Sequence, residues 1–118
     1  MATRWSDDIL IAELRDEPDL SEELTNLLGL ITRDGDAKPA SVVLDLREVT
    51  YCNSSNIAQL LHLRDALTKK GARLLLCCVR DAVWTLFLST NLDRVFEVAQ
   101  SKAAALASLQ LSDADAVE

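Results

Sequence analysis

Thr50, Tyr51, Cys52, Asn53, Ser54, Ser55, Asn56 and Ile57 place two hydroxyls between two asparagines, after a hydrophobic run and before an apolar-periodic segment. A strand-to-helix corner needs a capping side chain, and one Asn or Ser satisfies it. The two serines therefore leave two readings open: helix capping, or a site at which another protein adds or reads a phosphate. Asn53 and Asn56 are equally open, since Asn tolerates turn conformations and its amide can also bond a partner. Other chemistry-bearing residues assemble less well. His62 has no second ligand near it in sequence and reads as a surface residue. Asp45 and Glu48 are two carboxylates, but Asp45 closes a hydrophobic run and reads better as an acceptor of loop amides than as a catalytic acid. No nucleophile, base and orienting group come together. Cys52 and the adjacent Cys77 and Cys78 form neither a CxxC pair nor a histidine-completed zinc set, and read as reduced, structural residues.

The elements that must position the corner follow from periodicity. Residues 9–14 (ILIAEL) predict a first strand, ended by the acidic, proline-containing RDEPD. Leu20, Leu24, Leu27, Leu28 and Ile31 recur at helical spacing behind Asp19, Glu22 and Glu23, whose charges suit a helix N-terminus. That helix should stop near the DGDAKP loop. Residues 41–46 (SVVLDL) predict a central strand covered on both faces. Beyond the corner, Ile57, Leu60, Leu61, Ala66 and Leu67 predict a second helix ended by Lys69, Lys70 and Gly71. Residues 72–79 (ARLLLCCV) read as a buried strand and 80–89 as a third helix. Trp84 and Phe87 on that helix either pack in the core or form an aromatic patch for a partner. Residues 95–98 predict a short last strand, and Ser101 a cap for a helix to Leu109. Trp5 is expected to cover an open sheet edge.

This order, strands separated by helices, implies an α/β fold with a largely parallel sheet. The 118 residues, with 49% hydrophobic content, suit one domain over residues 1–110, leaving 111–118 as an acidic, disordered tail. A net charge of -7 disfavours nucleic acid and anionic membrane surfaces as partners. No stretch has the length of a signal peptide core or a membrane span, which predicts a cytoplasmic protein without membrane insertion. With three glycines and neither GxGxxG nor GxxxxGK[ST], the Gly-rich phosphate loops of nucleotide-binding enzymes are absent. No cofactor is expected.

The segment SVVLDLREVTYCNSSNIAQLLHLRDALTKKGARLLLCCV resembles the core of a STAS domain, the sulfate-transporter and anti-sigma-factor-antagonist module. The family pattern is a strand ending in Asp-Leu, a hydrophobic-x-Asp-Ser-Ser/Thr-Gly corner, an amphipathic helix, Gly and a second strand. VRDAVWTLFLSTNLDRVFEV is similar to the family's next helix and exit, so the resemblance covers about residues 41–98. It departs at two positions: the usual Asp is Asn53 and the usual Gly is Asn56. The resemblance implies a mostly parallel sheet of four to five strands with about four helices. It also implies a non-enzymatic interaction switch of the anti-sigma factor antagonist type. In such members the corner serine, which corresponds to Ser54, is phosphorylated by an anti-sigma factor that is itself a serine kinase; the module binds that kinase unmodified and lets go when phosphorylated. Asn53, Ser54, Ser55, Asn56 and Ile57 would form the partner-reading surface, and homo-oligomers are compatible with it. The rival within the superfamily is a small STAS subunit that binds the ATPase of a lipid or solute ABC transporter.

Overall fold

The computed structural model describes residues 2–6, 8–33 and 39–117. Five strands form one sheet in sequential order: β1 (Ala2–Ser6), β2 (Ile9–Arg15), β3 (Ser41–Glu48), β4 (Leu74–Cys77) and β5 (Glu97–Ala99). β1 pairs antiparallel with β2, and every later neighbour is parallel. The helices are α1 (Asp19–Arg33), α2 (Ser54–Lys69), α3 (Asp81–Ser89) and α4 (Lys102–Val117).

The expected α/β fold is the observed one, with one element added. β1 has no hydrophobic run to announce it; its pairing to β2 creates it, with a register shift between Arg4 and Ser6. Trp5 lies on this edge strand and is 46% exposed, so it covers the edge only in part. The loop expected after α1 lies, through residue 38, outside the described residues. α4 continues as helix past Leu109 to Val117, through residues read above as a tail; its side chains from residue 112 lie outside the described residues.

Strand alternation divides the interior into two cores. Val42, Leu44 and Leu46 of β3 face α1, α2 and α3, where Leu20, Leu24, Leu27, Leu60, Leu63, Leu67, Val83 and Phe87 meet them. Val43 of β3 and Leu75 and Cys77 of β4 face the other way, against Ala105 and Leu109 of α4. Each fully buried leucine contributes roughly 1.5–3 kcal/mol, so the three-helix core carries most of the stability. Phe87 settles the open question on α3: it is fully buried, edge-on to Trp84 at 6.4 Å and tilted against Phe96 at 5.6 Å, and Trp84 packs against the same core. The aromatic pair is core packing, and Leu88, 48% exposed, is what α3 presents to solvent.

Candidate functional site

The corner between β3 and α2 is framed by its two asparagines. Asn53 is the N-cap of α2, with φ -92° and ψ 177°, and its side-chain oxygen accepts from the Asn56 amide N–H at 2.8 Å. Asn56 returns the bond: its side-chain oxygen accepts from the Asn53 backbone N–H at 3.0 Å. This is a capping box built from two asparagines, satisfying two backbone donors reciprocally. Neither residue has positive φ, so the reading of Asn as a turn-former is corrected; both cap. The buried stripe of α2 begins with Asn56 and continues through Leu60, Leu63 and Leu67, while Ile57 is half-buried. Asn56 is fully buried, so the frame shields it from a partner's direct contact.

A second tie holds the corner to the loop between β2 and α1. The Asp16 carboxylate accepts from the Thr50 hydroxyl at 2.7 Å and from the Thr50 backbone N–H at 2.8 Å. Those two bonds hold the Asp16 carboxyl below its usual range, the hydroxyl contributing most. Glu17, next along, accepts from the backbone N–H and the hydroxyl of Ser21, which lower its pKa in the same way. The Asn56 amide group lies near Glu17 and lowers it slightly further, without completing a regular hydrogen bond. From α2, the Gln59 amide donates to the Ser21 carbonyl at 3.0 Å, fastening the two helices together.

Capping is therefore done by residues other than the serines. Ser54 and Ser55 are both exposed in the first turn of α2, and among the described residues neither hydroxyl makes a hydrogen bond. No acidic side chain occupies that first turn, so the positive end of the helix dipole is not neutralised from within the helix. Tyr51, 69% exposed, stands beside them in sequence; its isolation in a polar loop gives no periodic signal. Cys52 is buried, which pushes its thiol up to about 11 and removes it as a nucleophile at neutral pH. His62 is exposed, as expected. Asp45 accepts from the backbone N–H of Arg47, a residue of β3 and not of the loop expected to supply the amide, at 2.9 Å, and also pairs with Lys102 at 3.4 Å.

The chemistry open to this corner follows from what touches the hydroxyls. A serine acting as a nucleophile in its own enzyme needs a base within hydrogen-bond reach. None of the described residues bonds either serine, so neither hydroxyl has a base of its own within reach and both are open to solvent. A phosphate there would meet free backbone N–H groups at a helix N-terminus.

A sequentially ordered sheet, three helices on one face and one on the other, with an exposed hydroxyl pair at a βα corner, defines a small α/β domain of a distinct class. The STAS domain model matches residues 3–105, and the chain belongs to that family. Three solved structures illustrate the likeness. An anti-sigma-factor antagonist (STAS) domain protein from Planctomyces limnophilus is 20% identical with TM-score 0.78, covering 93% of this chain and 97% of that one. SpoIIAA, a Bacillus cell fate determinant solved in its phosphorylated form, is 12% identical with TM-score 0.69, covering 92% and 97%. A sulfate transporter family protein from Wolinella succinogenes is 19% identical with TM-score 0.74, covering 92% and 90%. At these identities the likeness establishes the fold. No curated protein matches by sequence. Among the described residues, no helix is long and apolar enough to cross a membrane.

Proposed function

We propose that this chain is a non-enzymatic, cytoplasmic antagonist of an anti-sigma factor, and that the anti-sigma factor is a serine kinase which both binds the β3–α2 corner and phosphorylates Ser54. The observation that carries this reading is the division of labour at the corner. Asn53 and Asn56 perform the capping that would otherwise occupy a serine, so Ser54 and Ser55 are exposed without a structural task. Ser54, Ser55 and the half-buried Ile57 form the contact surface, with Asn53 and Asn56 holding its shape.

The switch is electrostatic. Phosphorylation adds roughly -1.5 to -2 charges. On the protein's own side that charge is accommodated by the first turn of α2, so the fold persists. On the partner's side the same charge must be desolvated inside a docked interface, which favours release.

Capture from native cytosol on the immobilised protein, with mass spectrometry of partners and phosphosites, tests the proposal. The expected result is a serine kinase partner and phosphate on Ser54, with capture abolished by Ser54→Asp while the thermal midpoint stays unchanged. Phosphate on Ser55, or normal phosphate uptake by Ser54→Ala, overturns the assignment. Stable capture of a transporter ATPase that is indifferent to Ser54 substitution replaces the function with the transporter role.

A further inference from the structure

The carboxyl ends of β3 and β4 carry a second cluster, independent of the serine corner. Asp45 and Cys77 are register partners and point to the α4 face of the sheet. In an extended strand the next residue, Cys78, would point to the opposite face. It does not, because Cys78 has φ 60°. A left-handed backbone at a residue that is neither Gly nor Asn costs roughly 1–2 kcal/mol. Its effect here is to bring one Asp45 carboxylate oxygen, the Cys77 sulfur and the Cys78 sulfur all within 4.8 Å of one another.

We propose that Asp45, Cys77 and Cys78 form a binding site for a thiophilic divalent cation of the zinc type. Two sulfurs and one carboxylate oxygen are ligands that zinc accepts, and the fourth position of its tetrahedron is open to water or a further ligand. The two sulfurs select against magnesium and calcium, which take oxygen ligands. Ligand atoms around a tetrahedral zinc lie about 3.5–4 Å apart given bond lengths near 2.0–2.3 Å, so the group needs a contraction within side-chain reach. Asp45 and Cys77 are buried, while Cys78 is half-buried and gives an entry path.

Charge balance is compatible with the two nearby cations. Lys102 lies 3.4 Å from Asp45, and the Arg47 guanidinium donates to the Cys78 sulfur at 3.5 Å. Uptake of one divalent cation releases the two thiol protons to solvent. Two positive charges leave as two arrive, so the net charge of the cluster is unchanged. Lys102 has a second acceptor, Glu13 at 3.5 Å, to which it can shift when the metal takes its share of Asp45. Burial pushes the Cys77 thiol up to about 12, so binding must displace a firmly held proton.

The test is a cobalt(II) and zinc(II) titration of the full chain, kept reduced with a phosphine. Cobalt should produce a thiolate-to-metal charge-transfer band and tetrahedral visible bands, and native mass spectrometry should find one zinc per chain with two protons fewer. Cys78→Ser and Asp45→Asn should each weaken zinc by at least about tenfold, whereas Cys52→Ala should leave the band unchanged. Circular dichroism of each variant confirms folding, and the wild-type proton count stands whether or not a variant folds. Absence of the band and of the mass shift overturns the proposal. So does a metal affinity that Cys78→Ser leaves unchanged, a band that disappears with Cys52→Ala, or zinc uptake without proton release.

Discussion

Two βα corners lie side by side at the carboxyl edge of this sheet, and they are built on opposite plans. The corner leading into α2 has a side-chain frame of its own, the Asn53 and Asn56 box, and a tie to the neighbouring loop through Asp16. The corner leading into α3 has neither: its N-cap, Arg80, makes no side-chain cap bond. It is held by long arms instead, with the Arg80 side chain donating to the Arg47 carbonyl at 2.6 Å and Arg47 reaching Cys78. The difference teaches where each corner keeps its freedom. A framed backbone releases its first-turn side chains to solvent, whereas an unframed one brings adjacent side chains together through a left-handed residue.

The contrast can be broken most severely at Asn56. Asn56→Lys forces a cation into a fully buried position and removes half the capping box, and it should cost about 3 kcal/mol or more in denaturant unfolding. The same substitution therefore tests the frame and cannot separate binding from folding. A loss below about 1 kcal/mol would show that the box is not a structural unit. Next in size, Asn53→Ala should cost about 1 kcal/mol through the lost cap, while Arg80→Ala at the other corner should stay within about 0.5 kcal/mol. Equal losses would erase the distinction between the two plans.

The loop tie has a pH signature. Asp16 is held below its usual range by Thr50, so its folded pKa lies under its unfolded value of roughly 3.9. Its contribution is fully present above that unfolded value and is lost as pH falls through the folded one. Thr50→Val should lower stability by about 1 kcal/mol at neutral pH, and its deficit relative to the wild type should shrink in acid. A deficit that stays constant down to strongly acidic pH would show that the bond to charged Asp16 is not its source. The smallest effect is expected at Cys78→Gly. Glycine adopts positive φ without strain, so stability should be unchanged or raised by up to about 1 kcal/mol; a clear loss would mean that the side chain's packing outweighs the backbone cost.

Legibility in sequence follows the same divide. Elements with a one-sided apolar stripe or a fully apolar run, such as α1, α2, β3 and β4, announce themselves, since burial requires that pattern. β1 does not, because an edge strand of five residues gains its structure from pairing to β2. At the serine corner the need for a cap is readable, but the asparagine at the third helical position is not a standard capping-box residue, so the reciprocal bond had no sequence signal. The cysteine cluster was hidden for a different reason. Adjacent strand residues are expected on opposite faces, and a positive φ at Cys78 has no marker in residue type.

The single helix on the second face has a consequence for synthesis. Every strand precedes α4 in the chain, and α1, α2 and α3 are all spent on the other side of the sheet. A nascent chain can thus close its larger core while Ile9, Ile11, Val43 and Leu75 still await Ala105 and Leu109. At ribosomal rates of roughly 5–20 residues per second, that apolar face remains open for on the order of a second after the last strand emerges. This interval is the period in which the protein would most readily engage a holdase or a second nascent copy.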